Sequence, residues 1–279
     1  MSISASDVKK LRDQTGAGMM DCKKALSEAE GNIDKAIEIL RKKGQKLSAK
    51  RADREAKEGV VLAVTSANRN NGVVIRLSCE TDFVAKTESF VALAQSFADI
   101  ALKNLPADLD AFLALPYDSI TVGEKVTEQV GVVGEKLEIS AYAKIETAAG
   151  EGQVLPYIHM GNRAGVLVAL NLEGPDKIEP GKNVAMQVAA MKPIAVDKDG
   201  IPQEKIDSEI EIGKEIAKKE GKPEAMLEKI ATGKLNKFFK ENTLLNQAYV
   251  KDSKMNVGDY LKSIDPNLTV TSFEHVSLG

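Results

Sequence analysis

Tryptophan is absent from this chain, and histidine and cysteine occur only twice each, as His159, His275, Cys22 and Cys79. No Cys/His pair has the spacing of a metal site. Two cysteines in stretches of different pattern argue for a reducing compartment rather than a disulfide scaffold. Aromatic residues amount to 4%, so any core rests on Val, Ile, Leu and Ala. No apolar run reaches the length of a membrane span. The opening Met1-Ser2-Ile3-Ser4-Ala5-Ser6-Asp7 has neither a basic-then-apolar signal nor arginine-rich transit character, so the chain reads as cytoplasmic. Charge is short too: a net −3 at pH 7 gives no general pull toward nucleic acid or anionic membrane.

Catalytic patterns are equally scarce. A Cys79, His159 and carboxylate arrangement is conceivable as a hydrolase triad, but Cys79 lacks a nucleophile turn and ends an apolar strand, the usual setting of a buried structural thiol. Gly174 to Lys182 resembles a phosphate loop only superficially, with six residues between its glycines and Asn183 in place of Ser or Thr. Gly16-Ala17-Gly18 joins two helices instead of leaving a strand, so it is no dinucleotide fingerprint. These are the parts of an interaction protein, not of an enzyme, and no cofactor is expected.

What is present is an ordinary globular composition, 43% hydrophobic and 28% charged over 279 residues, enough for more than one domain. Residues 1–44 read as three short helices. Ser4 and Asp7 have capping-box spacing for the first, Asp21 is a candidate cap for the second and Asn32 for the third, which Gly44 would end. Residues 45–58 are basic and helix-tolerant, a solvated linker by default and a nucleic-acid patch only as an alternative, because no aromatic is interleaved for base stacking.

From Gly59 the period changes to two. Val60–Val64 and Val73–Leu77 flank Asn68-Arg69-Asn70-Asn71-Gly72, in which Asn-Gly is a strong hairpin signal. Helices are expected over 88–104 and 122–133 and a strand over 139–147; a second hairpin, 154–159 with 165–170, precedes a helix at 182–191. Strand, strand, helix occurring twice suggests two related subdomains sharing one core. Over 203–240, Ile206, Ile210, Gly213 and Ala217, then Leu227, Ala231, Leu235 and Phe238, form two apolar stripes broken at Gly221-Lys222-Pro223. That is an antiparallel coiled-coil hairpin. A helix at 257–264 and a strand at 268–276 finish the chain.

Two places fit the interior poorly. Met19 and Met20 stand on a tight helix–helix connection whose core is too small to take both, and methionine suits a contact surface. Thr81-Asp82-Phe83-Val84 places a carboxylate beside a large ring where a strand gives way to a helix. The bland reading makes Asp82 a turn acceptor and folds Phe83 back onto the following helix. The other reading makes the pair a projecting tip.

Thr15-Gly16-Ala17-Gly18-Met19-Met20-Asp21-Cys22-Lys23-Lys24-Ala25-Leu26, and Cys79 with Thr81-Asp82-Phe83-Val84-Ala85-Lys86, resemble the two signatures of the bacterial elongation factor Ts family. Weaker similarity continues through Tyr157-Ile158-His159, Gly165–Val168 and Ala189–Pro193. The resemblance implies an α+β chain: a ubiquitin-associated-like three-helix module at 1–45, a basic linker at 46–58 and a core N-subdomain at 59–150. It further implies a core C-subdomain at 151–202 and 241–279, interrupted by the helical hairpin at 203–240. The implied activity is guanine-nucleotide exchange on elongation factor Tu. Met19, Met20 and His159 would contact that partner's G domain, and Thr81, Asp82, Phe83 and Val84 would enter beside its nucleotide-bound Mg²⁺. For Asp82 two roles stay open, a hydrogen bond to displaced backbone or repulsion of the phosphate side. The sequence departs from the family pattern at Gln187, where His is frequent, at Ala248, where Pro commonly precedes the aromatic, and at the less glycine-rich turn Met160–Ala164. Some members carry a further C-terminal helical module; with the last residue at Gly279, just past the last strand, nothing is expected of that module.

Overall fold

The computed structural model describes residues 3–278. In chain order its elements are α1 (Ala5–Thr15), α2 (Met19–Glu28), α3 (Ile33–Arg51), β1 (Glu58–Thr65), β2 (Asn71–Cys79), the single turn α4 (Asp82–Ala85), α5 (Glu88–Asn104) and α6 (Leu109–Leu113). There follow a two-residue ladder β3 (Pro116–Tyr117) and β4 (Ile120–Thr121), α7 (Val122–Val133), β5 (Leu137–Glu146), β6 (Gln153–Ile158), β7 (Ala164–Leu170) and α8 (Ile178–Met191). The chain closes with α9 (Gln203–Lys219), α10 (Leu227–Asn242), the short pair β8 (Ala248–Tyr249) and β9 (Asp252–Asn256), α11 (Val257–Ile264) and β10 (Val270–Ser277).

Local chemistry starts the N-terminal helices. Ser4 Oγ accepts from the Asp7 N–H at 3.1 Å while Asp7 accepts from the Ser4 N–H at 3.3 Å, the reciprocal capping box. Asn32 caps α3 by accepting from the Lys35 N–H at 3.0 Å. Asp21 does not cap α2. The helix starts at Met19, after Gly18, three residues before a helix capped by Asp21 would begin, and Asp21 instead pairs with Lys43 of α3 at 2.5 Å. Leu11, Cys22, Leu26 and Ala36 fill the small core between the three helices.

Two three-stranded antiparallel sheets follow, ordered β1-β2-β5 and β10-β7-β6. Val60, Leu62, Val73, Ile75, Leu77 and Cys79 point to α5 and α7, whereas Val61, Ala63 and Val74 meet Val154, Leu167 and Ala169 of the other sheet. The far face of that sheet packs Leu155, Val166 and Val168 on Val184 and Val188 of α8 and Leu261 of α11. The layers are therefore helix, sheet, sheet, helix. Strands buried on both faces read as continuous apolar runs, as Val60–Val64 does. In place of one shared core there are three: one under each helical layer and one between the sheets.

Asn71-Gly72 is not the hairpin turn. The reversal falls at 66–70, with Arg69 at positive φ, and Gly72 lies within β2. A Cβ there would sit 2.7 Å from Val154 Cγ1, so Gly72 is small because the second sheet lies against it. The two departures at Gln187 and Ala248 prove to be one place: the buried Gln187 carboxamide donates to Ala248 O at 3.1 Å and accepts from the Val250 N–H at 2.8 Å.

The antiparallel hairpin α9–α10 crosses at small residues, a Cβ on Gly213 being 3.1 Å from Ala231 Cα. At its root Phe239 packs with Ala195 and Ile201, and the rest of the hairpin packs mainly on itself. No helix among the described residues is long and apolar enough to cross a membrane.

Candidate partner-binding site

Thr81-Asp82-Phe83-Val84 begins where the ladder between β2 and β5 ends, at the pair Cys79 and Leu137. Beyond that pair the two strands stay joined by side chains. Glu135 accepts from both the Thr81 N–H, at 3.0 Å, and the Thr81 hydroxyl, at 2.6 Å. Glu80 reaches back to accept from the Lys136 N–H at 2.6 Å, and from Arg51 at 2.6 Å and Arg54 at 2.9 Å. Burial works against ionisation of Glu80, but the Lys136 N–H and the two guanidinium groups outweigh it and pull its carboxyl down to about 2.

The single turn α4 hangs from this frame. Thr81 is its cap, accepting from the Val84 N–H at 3.5 Å. Ala85 is buried and Val84 half-buried on the first core, and α4 packs across β1 and β2. With that side fixed inward, Phe83 points out and is 80% exposed. The reading that folds Phe83 back onto α5 is thus overturned. Asp82 is a partner for Lys86 at 2.5 Å, one turn on, and that hydrogen bond holds its carboxyl below the ordinary range.

Cys79 is buried, its Sγ donating to Thr81 O at 3.1 Å. Burial, then the charge of Glu135, pushes the thiol up to about 12, so at neutral pH it is not a thiolate and has no nucleophilic use. His159 is not assembled with it into a triad. It is exposed in the β6–β7 turn with its Nδ1 3.2 Å from the Tyr157 hydroxyl. Next to it Met160 is 87% exposed, an apolar tip that sequence reasoning passed over because a lone surface methionine in a turn carries no pattern. Arg163 closes this turn onto Glu58 at 3.6 Å. One cleft is lined by Glu58, Asp82, Lys86, Gly161 and Arg163, so the structure places Asp82 and the His159 turn beside each other.

Met19 and Met20, which could have divided between core and surface, are both exposed, at 60% and 72%. They border a groove between α1 and α2 with Ile3, Val8, Arg12 and Lys23. The module bearing them is docked on α7. Gly44 does not end α3; the helix runs through it because Gly44 and Gly131 meet, a Cβ on Gly131 lying 2.8 Å from Gly44 Cα. Gly16, the C-cap of α1, faces Val132, and Arg41 pairs with Glu128 at 3.6 Å. Hence α7 carries the methionine module on its side, and the residue just past its C-cap Gly134 holds Thr81. Sequence reasoning missed Glu80, Arg51, Arg54 and Glu135. The pairing Thr81–Glu135 spans 54 residues, and only a charged residue at each strand end hinted at it.

Exposed apolar side chains on anchored turns, beside a thiol held protonated, are the features of a surface for contact with another macromolecule rather than of a catalytic centre. The family described as Elongation factor TS matches residues 80–279. Proteins described as Elongation factor Ts from Christiangramia forsetii, Amoebophilus asiaticus and Flavobacterium psychrophilum are 52%, 53% and 52% identical over essentially the whole of this chain and of their own, coverage being 99–100% throughout. The chain belongs to the elongation factor Ts family.

Proposed function

We propose that this protein is the guanine-nucleotide exchange factor of elongation factor Tu, binding the GDP form in the cytoplasm and releasing its GDP so that GTP can enter. It performs no covalent chemistry of its own. A GTPase grips GDP through its phosphate loop and a Mg²⁺ that neutralises the phosphate charge. That ion demands near-ideal octahedral geometry, so a small displacement of its surroundings weakens it. Phe83 is the wedge that supplies the displacement, seated in an apolar pocket of the G domain. Thr81 and Val84 fix its direction, one through its hydroxyl and the other by packing inward. Asp82 enters beside it and must exchange Lys86 for whatever the partner presents. Met19 and Met20 dock the other end of the surface, with His159 contributing contact from the neighbouring turn.

The observation that carries this reading is Phe83, a large ring 80% exposed on a turn that is otherwise anchored. A ring left in water on an anchored turn stabilises the free protein little, and an exposed aromatic on a fixed support is what an interface anchor requires. The basic stretch that suggested RNA is partly accounted for, since Arg51 and Arg54 are engaged by Glu80. The test is GDP release from elongation factor Tu, followed with a fluorescent nucleotide. Phe83→Ala should fold as wild type, within about 0.5 kcal/mol for an exposed position, yet slow release at saturating factor by about ten- to a hundredfold, the loss of one interface hot spot. Asp82→Ala should slow it less. If both variants bind and still accelerate release normally, the wedge is not at 81–84.

A further inference from the structure

We propose that Glu135 and Glu80 are positioning residues for exchange, forming a two-way bracket that holds the Phe83 turn at a fixed angle to the N-terminal module. This rests on the wedge reading above. The bracket lies past the last paired residues of β2 and β5, where two strands leaving a sheet ordinarily separate. Here each outgoing strand gives a carboxylate to the other's backbone: Glu135 accepts from the Thr81 N–H at 3.0 Å, and Glu80 accepts from the Lys136 N–H at 2.6 Å. Glu135 also takes the Thr81 hydroxyl at 2.6 Å, leaving that oxygen's lone pairs free to cap Val84. Glu80 takes Arg51 and Arg54, at and just beyond the end of the helix that runs back to the methionine module. Side chains of Lys136 reach the same segment, its Nζ donating to Ala52 O and Arg54 O at 3.0 Å each.

Neither carboxylate belongs to the first core, whose members around this end are Cys79, Ala85 and Leu137. What they add is orientation. A wedge that must be ordered on binding spends part of its contact free energy on that ordering, and a misplacement of about 1 Å can cost a hundredfold in a rate that depends on geometry. A prearranged turn leaves that free energy for displacing the partner's ion site.

The experiment measures GDP release against factor concentration for Glu135→Ala, Glu135→Gln, Thr81→Val and Phe83→Ala, with melting curves for each. Glu135→Ala should lower the release rate at saturation by about tenfold, the loss of a charge-assisted pair of hydrogen bonds, while moving the half-saturating concentration less than about threefold. Glu135→Gln keeps one acceptor and should fall between wild type and Glu135→Ala. Thr81→Val keeps the N–H bond to Glu135 but loses the hydroxyl bond and the cap on Val84, and should also slow release at saturation. The proposal is overturned if Glu135→Ala keeps the wild-type rate at saturation while Phe83→Ala loses it, or if the Glu135 variants shift only the half-saturating concentration in step with their melting temperatures. If Phe83→Ala itself releases GDP normally, the wedge reading fails instead.

Discussion

Glu80 shows what a single residue does in this molecule. Its carboxyl, pulled down to about 2 by Lys136, Arg51 and Arg54, favours the folded state while ionised. A depressed folded value means the contribution is present above the ordinary glutamate range and fades as pH falls from about 4.5 toward 2. Glu80→Gln should therefore be less stable than wild type at pH 7, and the gap in urea midpoint should be almost unchanged at pH 5, shrink by about half by pH 3 and close only toward pH 2. An equal gap at pH 7 and pH 3 would show that the ion pairs are not the source. Residues of this kind were illegible beforehand. Phe83 and the two methionines stood out because large apolar side chains occurred where a loop should be polar. Glu80 and Glu135 are ordinary surface types, and their meaning comes only from partners 26 to 56 residues away.

At the scale of elements, α7 is the part on which the surface is assembled. It buries Val122, Val126 and Val130 in the first core, receives α3 on its other side, and ends where Glu135 begins the bracket. The helix lies where the sequence suggested one, at 122–133, and α5 lies where its apolar stripe placed it. The junction with α3 was not legible, because a glycine after an apolar stripe reads as a stop signal. Gly44 and Gly131 face each other, and close approach of two helices, which no one-dimensional pattern encodes, explains both. An alanine in an exposed helix interior is ordinarily favoured over glycine by up to about 1 kcal/mol. Here the added methyl at 131 would lie 2.8 Å from Gly44 Cα and 3.3 Å from its N, both backbone atoms that cannot rotate away. Overpacking of that kind costs about 1–3 kcal/mol, so the clash wins. Gly131→Ala should lower the melting temperature and expose the 41–46 region to faster amide exchange, with a higher half-saturating concentration for elongation factor Tu. A gain in stability would mean that the helices can part without consequence.

At the scale of the whole molecule, the proposed roles of holding and prying fall on separate elements. Met19 and Met20 sit on a module borne by one side of α7, and Phe83 on a turn hung from the segment that follows it. Thermodynamic linkage makes the separation measurable. If the factor weakens GDP binding by some ratio, GDP must weaken factor binding by the same ratio. That ratio arises only from contacts that differ between the nucleotide-free and GDP-bound partner, and contacts equal in both states shift nothing however tight they are. Phe83, as the wedge, belongs to the first kind; Met20, as an anchor, belongs to the second. Dissociation constants of the factor for nucleotide-free and for GDP-bound elongation factor Tu should thus rise together in Met20→Ala, by about tenfold for an exposed anchor side chain, with their ratio unchanged. In Phe83→Ala the constant for the nucleotide-free form should rise most, so that the ratio shrinks toward one. Should Met20→Ala collapse the ratio while Phe83→Ala preserves it, the roles of the two ends would have to be exchanged.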